Sequence, residues 1–346
     1  MRYLNTLRRI YWTAQLKYQG EATLIEKLRW WRRGFRPAST WMYRFPRPDM
    51  CDYVNDYSEN FPAMKFNPVA ALFQSKILQC GILQAAGATL PELLAVVHRG
   101  RTTLHPLTRG ARPATPAELE RVLLADGDEF ILKPDYGAGG DKVALIRADD
   151  GKLLCQSREA WRPFRFDQPG QDVFLVQRRA RQAPFWAKLY PGSLNTMRVL
   201  TLWPDGDPAP FIAAAAQRIG NHASAPVDNF SRGGFAASID PESGRLGSAC
   251  RADAERERVT HHPETGSPIE GQTVPHWPAI RTEVLRLAGA MPFNRLVGWD
   301  AFVTPDGRVA ICEINGARVG VQILQLERGL LADARVRRFY EQQQAL

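Results

Sequence analysis

The five cysteines, Cys51, Cys80, Cys155, Cys250 and Cys312, are odd in number, widely spaced and never in a Cys-x-x-Cys pair, which argues against a disulfide framework or a zinc site. Reduced cytosolic thiols are expected instead. No uncharged apolar run approaches the length of a membrane-spanning helix, and the start lacks an apolar signal core with a cleavage site, so neither a span nor export is expected. The familiar nucleotide loops are missing as well. Asp141 separates Gly140 from Lys142, and Val143 stands where a Walker loop needs a hydroxyl residue. A dinucleotide fingerprint lacks both its spacing and its helix. No Ser-His-Asp or Cys-His arrangement offers a protein nucleophile. His261, His262 and His276, with Glu264, fall in a loop rich in Pro, Gly and Thr, which reads as solvent-exposed rather than metal-binding.

What the chain does have is lopsided charge. Its formal charge of +9 is confined to residues 1–47, where eleven Lys and Arg face only Glu21 and Glu26, while the remainder balances. The same stretch holds Trp12, Trp30, Trp31 and Trp41, four of the nine tryptophans, with Tyr11, Tyr18, Phe35, Tyr43 and Phe45 beside them. Basic residues attract anionic headgroups and indole rings settle at the water–lipid boundary, so residues 1–47 suggest peripheral contact with the inner face of a membrane. The alternative is a helical arm that packs its aromatics on the body and solvates its arginines. Nucleic acid is the weaker partner, since no recognised binding module is present. The chain is long enough for two or more subdomains with cores of their own.

Two segments carry chemistry. Residues 130–132 and 143–146 are strand-like, and the Gly-rich link between them reads as a hairpin flap, Lys133 standing at the end of its first strand. Gly137, Gly139 and Gly140 let backbone amides approach phosphate oxygens, beside the charge of Lys133. Farther on, residues 296–303 and 309–314 form two strands about an Asp306-Gly307 turn, so Asp300 can face Glu313 and Asn315. Glu313 and Asn315 are two apart and share a face. Two carboxylates and an amide oxygen, completed by phosphates and water, suit Mg2+ with a nucleotide.

Lys133-Pro134 with its flap, and the strands bearing Asp300, Glu313 and Asn315, resemble the ATP-grasp superfamily. Four further blocks, residues 191–198 (PGSLNTMR), 227–234 (VDNFSRGG), 271–277 (GQTVPHW) and 297–300 (VGWD), resemble its sugar-transfer-associated family, related to the glutamate-ligase-like proteins. The resemblance runs over about residues 76–331 and implies an α+β ATP-grasp fold, with two α/β subdomains enclosing the nucleotide behind a basic helical N-terminal arm. The divisions expected are arm and connector (1–68), an N-terminal helix with the small subdomain (69–180), and a large subdomain with the metal site and C-terminal helix (181–346).

The resemblance also implies roles. Lys76 and Lys133 contact the nucleotide phosphates, although Lys76, on an expected helix at 75–86, could be an ordinary solvated lysine. Arg198 is aimed at the transferred phosphoryl group and, with Lys76, is catalytic. Asp228 and Asn229 help hold nucleotide, substrate or metal, or only shape an Asx turn. One departure stands out: the acidic residue that superfamily members commonly place after the hinge strand, for ribose, is missing from residues 172–181 (DVFLVQRRAR), which leaves Gln177 and the backbone near Val176 and Arg178 to meet the nucleoside. The implied activity is ATP- and Mg2+-dependent carboxylate–amine ligation through an acyl phosphate, on a sugar, peptide or cell-envelope precursor in polysaccharide biosynthesis. Its rivals are a kinase on the same scaffold and a non-catalytic module docking on a membrane or a glycosyltransferase. A cytoplasmic protein is expected.

Overall fold

The computed structural model describes residues 2–15, 23–36, 39, 43, 49–60, 66–137, 139–157, 160–166, 172–252, 258–316 and 318–343. Lys17, Tyr18, Glu21, Trp41, Phe45, Ala138 and residues 253–257 therefore lie outside the described residues. Two antiparallel sheets build the body. The first has eight strands: β1 (Leu93–His98), β2 (Arg101–Leu104), β3 (Arg112–Ala114), β4 (Glu129–Pro134), β5 (Ala144–Asp149), β6 (Lys152–Ser157), β7 (Ala160–Pro163) and β8 (Val173–Arg178), in the order β3-β2-β1-β8-β4-β5-β6-β7. The second has seven: β9 (Met197–Leu202), β10 (Phe211–Ile219), β11 (Phe235–Ile239), β12 (Leu246–Cys250), β13 (Arg258–Val259), β14 (Leu296–Val303) and β15 (Val309–Asn315), in the order β13-β12-β11-β10-β9-β14-β15.

Both hairpins expected from sequence are present. Phe130 pairs with Ile146 across the flap, and Asp300 with Glu313 across the Asp306-Gly307 turn. Alternation explains which face of each strand meets the cleft. On the first sheet Phe130, Leu132 and Val176 pack beneath the helix Pro116–Asp126 through Leu119 and Leu123, so Ile131, Lys133 and Gln177 point the other way. That helix starts on a Thr115/Glu118 capping box and stops at Gly127 in the left-handed conformation, as its T-P-A-E opening predicts.

All eight residues of β14 are buried because the second sheet is covered on both faces. Met197, Val199, Trp299 and Ala301 pack on one face with Ile280, Val284 and Leu287 of the helix Trp277–Gly289. Leu200, Leu202 and Leu296 pack on the other with Val336, Phe339 and Tyr340 of the helix Ala334–Gln342, joined by Phe35 and Tyr43 of the arm. The arm thus does pack part of its aromatic content on the body. The helix Lys76–Ala85 buries Leu83 in the cluster of the second sheet.

One expectation is corrected here. The loop that holds His261, His262, Glu264 and His276 is not solvent-exposed throughout, since Ile269, Val274 and Trp277 enter the core and His262 is fully buried. His262 Nε2 lies 2.9 Å from the Gly220 carbonyl, and Nδ1 accepts the Glu264 and Thr265 amides at 3.3 Å. Both ring nitrogens are occupied in holding loops together, so a polar-looking segment conceals a structural histidine.

Candidate active site

The residues singled out in the sequence converge in one cleft between the sheets, lined by Lys76, Lys133, Gly137, Gly139, Gly140, Gln177, Arg178, Arg198, Asn229, Asp300, Glu313 and Asn315. Lys133 is only 7% exposed. Among the described residues its ammonium has neither a hydrogen-bond acceptor nor a counter-ion, an arrangement that is costly unless something anionic fills the space in front of it. Lys76 opens the helix Lys76–Ala85, whose N-terminus is tied to the flap. Asp135, two residues after Lys133, accepts the Ser75 hydroxyl at 2.8 Å and the Ile77 amide at 2.8 Å. Lys76 Nζ then donates to the Gly137 carbonyl at 2.9 Å and stands 3.9 Å from Glu313 Oε1.

The flap is closed onto the second sheet. Gly137, Gly139 and Gly140 all have positive φ, and a β-carbon on Gly140 would stand 2.9 Å from Val227 Cγ2. Arg232 fastens the contact by donating to the Gly139 carbonyl at 2.7 Å.

At the opposite wall lies a charge network of which the sequence revealed half. Arg198 and Asp300 are cross-strand partners on β9 and β14. Arg198 donates to both Asp300 oxygens, at 2.5 and 3.1 Å, and to the Val319 carbonyl at 2.6 Å. Arg218 of β10 donates to Asp300 Oδ2 at 3.1 Å and to Thr196 Oγ1 at 3.0 Å, and is 3.2 Å from Asp228. Asp228 also takes the Thr196 amide and hydroxyl at 2.7 Å each. Burial pushes the Asp300 carboxyl up, but Arg198 and Arg218 outweigh it and hold the group below its ordinary range. Arg218 and Thr196 escaped the sequence reading. The one available signal was an arginine near the end of the alanine-rich strand FIAAAAQRI, where a buried charge requires partners.

Three side chains beside the cleft are taken up by neighbours. Arg178 turns its guanidinium outward onto Glu92, Asp126 and Asp128, because that acid cluster attracts it more strongly than the apolar hinge, leaving its backbone along the cleft. Its amide is already given to the Glu92 carbonyl. The next amide that donates to no other backbone group among the described residues is that of Ala180. Asn229 caps the turn Phe230–Arg232, accepting the Ser231 amide at 2.9 Å and hydroxyl at 2.6 Å, so its side chain does the work of an Asx turn. Asp228 anchors Arg218.

The oxygen donors fit a hard cation. A β-bulge leaves Cys312 unpaired between Glu313 and Ile311, which turns Glu313 and Asn315 to the same face as Asp300. Glu313 accepts no hydrogen bond from a described residue. Asn315 spends its amide nitrogen on the Gly298 carbonyl at 3.5 Å, leaving its oxygen toward the cleft. Asp300 takes three guanidinium hydrogen bonds, so about one of its roughly four lone-pair sites stays open. Among the described residues no group of three or more His, Cys, Asp or Glu side chains could hold a metal alone. Two carboxylates and an amide instead leave coordination positions for phosphate and water. Cys312 lines the cleft, but burial pushes its thiol up to about 11, so it stays protonated near neutrality and is a poor nucleophile.

The Arg198 pocket is held from behind. Gly320, at φ 76°, lies so close that a β-carbon would meet Arg198 Nη1 at 2.7 Å. The Gly320 and Val321 amides donate to Glu59 Oε1 at 2.7 and 3.0 Å. Gly320→Ala is expected to cost roughly 1–2 kcal/mol through backbone strain, and to lower turnover more than ATP affinity by displacing the guanidinium; chemical unfolding and steady-state kinetics check both. Burial raises the Glu59 carboxyl, while the two amides pull it down less strongly. A raised folded-state carboxyl makes stability fall as pH rises from the ordinary glutamate range through the folded value. Glu59→Gln should keep the amide contacts and flatten that slope in melting curves between pH 4 and 7.

The sequence matches the family model described as sugar-transfer associated ATP-grasp over residues 60–339. Among curated proteins nothing matches. Solved structures similar to the chain include the D-alanine–D-alanine ligase from Coxiella burnetii, at 15% identity and TM-score 0.40 over 79% of this chain and 59% of that one. An N5-carboxyaminoimidazole synthase from Aspergillus clavatus matches at 13% identity and TM-score 0.38, over 71% and 45%. The ATP-grasp ligase PsnB matches at 15% identity and TM-score 0.37, over 72% and 54%. The chain spans about half the length of the first of these solved structures.

Proposed function

The chain belongs to the sugar-transfer associated ATP-grasp family, and from that premise we propose that it is an ATP-dependent carboxylate–amine ligase. The observation that carries the reading is Lys133, a largely buried lysine whose ammonium opens on the cleft with no partner among the described residues, beside Lys76, Arg198, Arg218, Glu313 and Asn315. Such a set has no evident purpose without a polyanion. ATP is a substrate here, its phosphates meeting Lys133, Lys76 and the flap amides, and its adenine edge meeting the hinge near Gln177 and Ala180. Glu313 and Asn315, with the remaining lone pair of Asp300, would hold Mg2+, which when bound neutralises phosphate charge. The arginine fork of Arg198, fixed by Asp300 and the Val319 carbonyl, is aimed at the phosphoryl group being transferred.

In this reading a substrate carboxylate attacks the γ-phosphorus, ADP leaves, and an amine then displaces phosphate from the acyl phosphate. The protein supplies position and charge rather than a covalent nucleophile, in accord with the protonated Cys312 thiol. Incubation with ATP, Mg2+, hydroxylamine and a panel of sugar acids, amino acids and peptides should yield one hydroxamate for each ADP. A stable phosphorylated product without hydroxamate would replace the ligase by a kinase. The family's description favours a sugar-bearing acceptor.

A further inference from the structure

We propose that the two N-terminal helices form a docking surface for a bilayer containing anionic phospholipid. The first helix, Arg2–Ala14, exposes Leu7 and Tyr11 one turn apart, at 63% and 60%. The second, Leu24–Trp31, exposes Leu24, Ile25 and Leu28 on one side, at 67%, 80% and 45%, and none of its residues is buried. Positions i, i+1 and i+4 of a helix fall within about 100° of one another, so these three make a continuous aliphatic strip. The helices touch, Ile10 of the first and Leu28 of the second lining one hollow with Arg29, Arg32 and Arg33. Arg8, Arg29, Arg32 and Arg33 are exposed, and none forms an ion pair with a described acidic residue. Arg29 and Arg33 lie near the face of Trp30, at 5.7 and 6.0 Å from its ring centre.

Charge and apolar surface together select the occupant. A nucleic acid would satisfy the arginines but has no use for Leu7, Leu24, Ile25 and Leu28, since bases stack on aromatic rings, not aliphatic side chains. A second copy of the chain would cover the leucines, yet a two-fold contact would set these arginines against their own counterparts. Anionic headgroups over an acyl boundary take both. The base of this surface is fixed to the body: Phe35 and Tyr43 are buried with the second sheet, and Tyr57 donates its amide to the Gly34 carbonyl at 2.9 Å. Docking would therefore hold the whole molecule at the lipid face instead of tethering it loosely.

Co-sedimentation of the full chain with vesicles tests this. Vesicles of 70% phosphatidylcholine and 30% phosphatidylglycerol are the probe, with pure phosphatidylcholine as control. Binding is expected to the mixed vesicles only, weakening as salt rises. Each arginine near an anionic surface is worth about fivefold in affinity, so Arg8→Gln/Arg29→Gln/Arg32→Gln should weaken binding on the order of 100-fold. Ile25→Ser/Leu28→Ser should weaken it too, with an unchanged circular dichroism spectrum because both side chains are exposed. The salt series on the unmodified protein keeps the test decisive if a variant misfolds. No binding, equal binding to neutral vesicles, tighter binding to RNA or DNA in the same buffer, or a lipid-free dimer broken by Ile25→Ser/Leu28→Ser would each overturn the proposal.

Discussion

Lys133→Met is expected to weaken nucleotide binding by one to two orders of magnitude while making the nucleotide-free protein harder to unfold. Methionine keeps the length and apolar stem of the lysine but removes a charge that, at 7% exposure, has no partner among the described residues. Removing an uncompensated buried polar group returns roughly 1–3 kcal/mol of stability. The same change deletes a charge-assisted contact to phosphate, worth about 1.5–3 kcal/mol, so ATP should bind roughly 10- to 150-fold more weakly. Calorimetric titration with ATP and denaturant unfolding without it read the two effects separately. A lysine that merely supported the fold would give the opposite sign in the second measurement, and that result would remove Lys133 from the site.

Asp300→Asn should be the most damaging single substitution in the cleft. Asp300 is 4% exposed and accepts from two arginines, so neutralising it leaves Arg198 with neutral acceptors only, the Asn oxygen and the Val319 carbonyl, while Arg218 keeps Asp228. Breaking a buried pair in this way costs about 3–5 kcal/mol, because the surviving cation has no counter-charge. Turnover should fall by more than 100-fold, since both the arginine fork and a metal ligand are disturbed. Arg198→Met/Asp300→Leu separates the two contributions: an apolar pair should recover much of the stability and none of the activity. Recovery of activity in that double variant would show that the pair serves only the fold.

The cleft was legible wherever a local pattern carried its own periodicity. Lys133 at the end of an apolar run before three glycines, and Glu313 and Asn315 two residues apart, state their placement through strand alternation alone. The hairpin that carries Asp300 and Glu313 was legible from its turn, but their facing one another depends on the β-bulge at Cys312, which shifts the register by one residue. The rest depended on segments far apart in the chain. Nothing near Arg218 announces Asp228 and Asp300, and nothing near Gly320 announces that Arg198 lies against it or that Glu59, 261 residues earlier, holds its amide. For the same reason the sequence left open which role Asn229 takes and where the Arg178 side chain goes: a guanidinium or a carboxamide next to a site goes to whichever partner the fold brings nearest, here an acid cluster and a turn.

By itself, then, the sequence determined the two hairpins, with Lys133 and the oxygen donors on them, because each is written in spacing over fewer than twenty residues, and the basic N-terminal arm through its composition, while Lys76 was marked by the family resemblance. Tertiary structure alone decided which charges neutralise one another, that His262 is sealed in the core, that Leu7, Leu24, Ile25 and Leu28 of the arm stay outside it, and that Lys133 has no partner among the described residues. Those outcomes rest on burial and on pairing across strands, which are settled only when distant segments compete for the same few ångströms of low-dielectric space.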